Sequence, residues 1–94
     1  MPYALVRLTV EDYAKWKSVF AEVGSLRQSN GSKGGYVFRN ADNANEVVIL
    51  LEWDALDRAR QFYQSAELRQ AMQRAGVSGR PDIAFLEEAD RPSA

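Results

Sequence analysis

Glu46-Val47-Val48-Ile49-Leu50-Leu51-Glu52-Trp53 (EVVILLEW) decides how this chain is read. The run is too short for a buried helix of ordinary length, and it is rich in β-branched residues, which marks it as a strand. Val47, Ile49 and Leu51 share one phase with Trp53, while Val48 and Leu50 share the other, so both faces are apolar. An antiparallel strand with one solvated face alternates instead. The run therefore predicts a central strand in a sheet that is covered on two sides.

The neighbouring segments fall into place on either side. Tyr3 to Val10 (YALVRLTV) reads as a first strand. Glu11 and Asp12 then supply a cap and negative charge for a helix from about Asp12 to Gln28, with Tyr13, Trp16, Phe20 and Val23 at helical spacing and Val19 and Leu26 beside them. Ser29 to Gly35 is a run of turn formers that predicts a loop. Tyr36 to Arg39 reads as a short second strand, and Asn40 to Asn45 as the polar loop leading into Glu46. Downstream, Asp54 and Asp57 have the spacing of a capping box for a helix carrying Leu56, Ala59, Phe62 and Tyr63. Ser65 reads as a fresh cap, so that helix breaks and restarts with Leu68, Ala71 and Met72, and Gly76 closes it. Pro81 precedes a last strand, Asp82 to Glu88, and residues 89–94 read as a tail.

Strand, helix, strand, strand, helix, strand is the ferredoxin-like βαββαβ pattern, an α+β fold with a four-stranded antiparallel sheet in the order 4-1-3-2. The whole chain, 1–94 with an ordered core of about 3–88, forms one domain. Both helical segments cover one sheet face, which leaves the apolar second face for a second copy of the same chain. In that sheet Arg7 and Glu52 are expected to pair at the dimer seam, an active-site carboxylate being the alternative reading of Glu52.

The 94 residues hold 46% apolar and 27% charged residues at a net charge of −1, a globular balance with no basic stripe for nucleic acid and no polybasic anchor for a membrane. Neither cysteine nor histidine occurs. That removes thiolate and imidazole nucleophiles and bases, the ordinary zinc ligands and the proximal histidine of a haem site. Glu11-Asp12, Asp54 with Asp57, and Glu87-Glu88 read as caps and strand-end charges, so no metal is expected. The start Met1-Pro2-Tyr3-Ala4 shows no charged leader, and Val47 to Leu51 is too short to span a bilayer, so the expected address is cytoplasmic.

Val10-Glu11-Asp12-Tyr13 with Trp16 and Phe20, Leu51-Glu52-Trp53-Asp54, Ser65 to Val77 (SAELRQAMQRAGV) and Ile83 to Glu87 together resemble the dimeric α+β barrel superfamily, specifically its antibiotic biosynthesis monooxygenase-like group. The resemblance covers residues 3–88. It implies a homodimer with its sheets face to face and an apolar cavity in each subunit between sheet and helices. Some members of the group oxygenate polycyclic aromatic substrates without metal or flavin. Others degrade haem, a branch this chain leaves because it has no histidine. The resemblance carries no catalytic set onto this sequence.

The residues that suit a pocket for a flat organic ligand are Trp16, Tyr36, Trp53 and Tyr63, large apolar groups with a polar tip, together with Arg39, which can meet a carboxylate or phenolate at the mouth. Each also has a plain structural role, in the core for the aromatics and in an ion pair for Arg39. Arg58, Arg60, Arg69 and Arg74 lie among acids and glutamines on helices and read as a solvated face. Three functions follow: a cofactor-independent monooxygenase-like enzyme on a small hydrophobic or aromatic metabolite, a non-catalytic binder of such a ligand, or a dimeric interaction module with a filled core.

Overall fold

In a computed structural model that describes residues 1–94, the decisive run lies in a strand flanked on both sides by others. Four strands, β1 (Pro2–Val10), β2 (Ser32–Asn40), β3 (Asn43–Trp53) and β4 (Val77–Glu87), form an antiparallel sheet in the order β2-β3-β1-β4. Helices α1 (Tyr13–Glu22), α2 (Gly24–Ser29), α3 (Leu56–Tyr63) and α4 (Ala66–Arg74) connect them. The expected βαββαβ order and strand sequence are both present. No helix is long and apolar enough to cross a membrane.

The period of two along β3 places its apolar residues on two faces, as read from the sequence. Val47, Ile49, Leu51 and Trp53 are buried with Ala4, Val6, Leu8 and Val10 of β1, and α1, α3 and α4 complete this core through Trp16, Val19, Ala59, Phe62, Leu68 and Ala71. The other face carries Leu5, Val48 and Leu50, half-buried among their neighbours, and Tyr36, Phe38 and Leu86, which are 63%, 50% and 39% exposed. The rings of Tyr36 and Phe38 stack there with centroids 5.6 Å apart.

Helix ends follow side-chain chemistry at two of the expected places. Asp12 caps α1 by accepting from the backbone N–H groups of Ala14 and Lys15, and Ser65 caps α4 by accepting from that of Leu68. The third expected cap is different: α3 starts from Ala55 with no side-chain cap, and Asp54 instead pairs with Arg58. Asp54 is drawn away because its backbone N–H donates to Gly31 and its carboxylate fills the space beside that residue, while Arg58 also donates to the Ser29 carbonyl. The corner between β3 and the start of β2 is thereby closed.

Several boundaries also move. The single helix expected over 12–28 is two, broken at Val23 next to Gly24, a residue that costs about 1 kcal/mol in a helix interior. The expected loop 29–35 shrinks to a turn at Asn30-Gly31, and β2 begins at Ser32 with a bulge before Gly34. Gly34 takes φ +91°, and a Cβ on Gly35 would meet the Leu50 carbonyl, so these glycines serve a strand rather than a loop. The loop 40–45 reduces to a turn at Ala41-Asp42, stabilised by Asn40 accepting from the Asp42 backbone N–H. The last strand starts at Val77 rather than Asp82. Pro81 is tolerated inside it because β4 is an edge strand and residues 79–81 fall in the register shift between the Arg7–Asp82 and Thr9–Ser78 pairs, where no ladder donor is needed.

The Arg7–Glu52 pair does not form. The register puts Glu52 opposite Tyr3 and Val48 opposite Arg7, so the acid that reaches Arg7 is the diagonal neighbour Glu46, at 2.7 Å. Arg7 and Asn40 together hold the Glu46 carboxyl below its usual pKa.

Candidate functional site

The space between the helices and the sheet is not completely filled. An apolar cavity of about 50 Å³ lies there, bounded by Val6, Leu8, Ile49 and Leu51 from the sheet and by Trp16, Val19, Phe20, Phe62, Tyr63 and Met72 among the helical residues. Arg27 is the one charged residue in its wall. Beyond Arg27 an outer cleft of about 360 Å³ opens between α2 and the start of β2, lined by Gly24, Gln28, Ser32, Lys33, Gly34, Gly35 and Tyr36. Phe20, Arg27 and Leu51 border both spaces, so the two lie side by side with these residues between them.

Helical spacing builds the inner wall. Tyr13, Trp16 and Phe20 form a column on α1, with Trp16 stacked on Phe20 at 4.9 Å and tilted against Tyr13 at 5.8 Å. An arginine covers each end. Arg39 lies 4.1 Å above the Tyr13 ring and Arg27 3.6 Å above the Phe20 ring. Arg27 also donates to the Phe20 carbonyl at 2.8 Å, and it has no carboxylate partner. Burial lowers its pKa, an effect that the nearby Tyr63 opposes.

Of the five residues singled out from sequence, Trp16 and Tyr63 line the cavity and Tyr36 stands at the rim of the outer cleft. Arg39 is spent on Tyr13 and the Ala44 carbonyl, away from the cavity. Trp53 is fully buried at the end of β3, packed against Phe62 and Tyr63 at 5.2 and 5.7 Å, and is not in the cavity wall. Sequence reasoning missed Arg27. Its signal was present, because Trp16, Phe20, Val23 and Arg27 step along one helical stripe at intervals of four, three and four. A cation on an apolar stripe marks a buried charge.

Tyr63 is the other polar group of the wall. Burial pushes its pKa up to about 12, against the pull of the Arg27 charge and of the Trp53 indole N–H. That N–H makes no hydrogen bond of normal geometry and is the one buried side-chain donor without an acceptor. The hydroxyl of Tyr63 stays protonated at neutral pH and available as a donor. An unfolded tyrosine ionises near pH 10, so above that pH the unfolded chain loses this proton first. The stabilisation is complete below about pH 10 and is lost as pH rises through about 12, by up to roughly 2–3 kcal/mol. Chemical denaturation at about pH 9 and about pH 11.5 is expected to show this loss in the parent and a smaller one in Tyr63→Phe; equal losses in both would remove Tyr63 as its source.

No three acidic residues converge as a metal ion would require, and no carboxylate lines the cavity or the outer cleft. The wall of the cavity is apolar and presents one hydroxyl, of Tyr63, and one guanidinium, of Arg27.

No protein-family model and no curated protein matches the chain. Its fold is nonetheless shared with solved structures over almost its full length. SnoaB, a cofactor-independent oxygenase from Streptomyces nogalater, superposes with a TM-score of 0.80 at 18% identity, covering 99% of this chain and 97% of that one. A Bordetella bronchiseptica protein provisionally assigned as an antibiotic biosynthesis monooxygenase superposes with a TM-score of 0.80 at 15% identity, covering 94% and 96%. The monooxygenase from the gene ActVA-Orf6 of Streptomyces coelicolor, solved in complex with Nanaomycin D, gives 0.66 at 23% identity, covering 98% and 92%. The chain thus has the α+β fold of antibiotic biosynthesis monooxygenase-like structures, the group its sequence resembles.

Proposed function

We propose that the protein is a cofactor-independent oxygenase that acts on a small hydrophobic aromatic metabolite, working as a homodimer in the cytoplasm. The observation that carries this reading is the apolar cavity between helices and sheet, walled by Trp16 and Tyr63 and bordered by Arg27. It is supported by the fold held in common with an oxygenase that uses no cofactor. The second, apolar face of the sheet supports the dimer, since Tyr36, Phe38 and Leu86 are exposed together with half-buried Leu5, Val48 and Leu50.

The chemistry follows from what the wall lacks. With no carboxylate and no imidazole in reach, the substrate's own acidity must release the proton, so a ring CH₂ made acidic by adjacent carbonyl and phenol groups is the suitable substrate. The resulting delocalised anion passes an electron to O₂. Recombination forms a C–O bond as a peroxide anion, which takes back from solvent the proton first given up. Loss of the remaining C–H proton then breaks the O–O bond, so that one oxygen atom stays on carbon as a ketone and the other leaves as water, with no external reductant. The apolar lining excludes water from the intermediate. Trp16 supplies a flat wall, and the protonated Tyr63 hydroxyl donates to the developing oxyanion.

Oxygen uptake by chelator-treated protein, measured over a panel of anthrone-like and hydroxylated aromatics, tests the reading. Turnover is expected with at least one of them, and Tyr63→Phe is expected to lower kcat by about 10²-fold, the usual loss when one oxyanion donor is removed. Saturable binding without oxygen consumption would replace it with the second reading, a non-catalytic binder, which the absence of any base in the wall favours. A ligand-free protein whose cavity stayed closed to every aromatic tested would leave the interaction module.

A further inference from the structure

The inner cavity, at about 50 Å³, is smaller than the roughly 300–1,000 Å³ of ordinary ligand pockets. A ligand of drug-like size must therefore extend into the outer cleft, whose 360 Å³ brings the combined space into that range. The two spaces differ in chemistry. The inner wall is apolar except for Arg27 and the hydroxyl of Tyr63, whereas the outer cleft carries Arg27, Lys33, Gln28 and Ser32 and no acid.

Arg27 stands at the junction in an unusual state. A guanidinium has five N–H donors, and the chain engages one of them, at the Phe20 carbonyl. It is half-buried against the Phe20 ring, where a cation without a counter-charge is costly. Lys33 likewise forms no ion pair. An acceptor-only anion with two oxygens suits this pair of cations, because a planar guanidinium meets a carboxylate through two parallel hydrogen bonds. The backbone at Gly34 and Gly35 has no side chain to narrow the cleft beside them.

We infer that the outer cleft is a carboxylate subsite and that the ligand is an aromatic acid, its ring directed toward the cavity against Phe20 and Leu51 and its carboxylate held in the cleft by Arg27 with Lys33. This rests on the reading that the cavity accepts an aromatic group. It adds that affinity is set by a charge on the ligand, and that Arg27 bridges the two halves of the site.

Calorimetric titration with 1-naphthaleneacetate and its uncharged amide, 1-naphthaleneacetamide, tests this directly. The acid is expected to bind at least about tenfold more tightly than the amide, and more weakly as salt is raised. Arg27→Gln is expected to bring the acid down to the affinity of the amide, with Arg27→Lys intermediate; Lys33→Gln, an exposed change that spares the core, is expected to weaken the acid alone. Equal binding of acid and amide by the parent would overturn the carboxylate subsite while leaving the aromatic cavity standing. Tight acid binding unaffected by either substitution would overturn the assignment to Arg27 and Lys33. Binding of neither compound would overturn the cavity reading and this inference with it.

Discussion

Ile49→Asp and Leu50→Asp, adjacent substitutions of equal polarity, are expected to fail in different ways. Ile49 is 5% exposed and faces the helices, where a carboxylate has no partner. The lost packing alone is worth about 2–5 kcal/mol, and the unpaired charge adds more. A domain of this size has about 5–15 kcal/mol in total, so the Ile49 variant is expected to lack a cooperative unfolding transition. Leu50 points to the opposite face, half-buried among its neighbours. Its aspartate variant is expected to keep the circular dichroism spectrum of the parent but to scatter light as a particle of 10.6 kDa, one chain, where the parent is expected to scatter as the proposed dimer. A Leu50→Asp protein that remained dimeric would rule out this face as the seam. Unchanged stability in Ile49→Asp would refute the core as described.

The second large effect is expected at Trp53. This side chain is fully buried, with Phe62 and Tyr63 against it, and truncation to alanine is expected to cost about 3–5 kcal/mol. Trp53→Phe separates two contributions. It loses part of the packing, but it also removes an N–H that no acceptor satisfies, a group whose burial without a partner costs about 1–3 kcal/mol. The phenylalanine variant is therefore expected to lose less than half of what alanine loses in urea denaturation. Equal losses would mean that the indole N–H carries no penalty in the parent.

The residues show which features a sequence displays and which it conceals. The two-sided apolar run of β3 and the caps at Asp12 and Ser65 are local patterns, fixed by neighbours within four residues, and with the order of the elements they made the fold and the helix break legible. Features that depend on register were hidden. Whether Arg7 meets Glu46 or Glu52 turns on which β3 residue faces Arg7, and the two acids lie six residues, about 20 Å, apart along the strand. Gly34 and Gly35 looked like loop formers because their strand role comes from a bulge and from the Leu50 carbonyl, neither visible in composition. Asp54 had cap spacing but a stronger claim from Arg58 and from the corner at Gly31. At the site, Trp16 and Tyr63 were legible as aromatics on apolar stripes. Arg27 was concealed by the expectation that helix arginines are solvated, and Arg39 was favoured although its target, Tyr13, lies on another element.

The column of Tyr13, Trp16 and Phe20 also gives the protein an optical reporter. The chain has two tryptophans, one in the cavity wall and one in the closed core. Emission from Trp16 responds to whatever displaces Phe20 or the Arg27 cation stacked on it, whereas emission from Trp53 responds to loss of the core. In Trp53→Phe the remaining tryptophan fluorescence comes from Trp16 alone, so in the folded protein its intensity and wavelength follow what enters the cavity without a label.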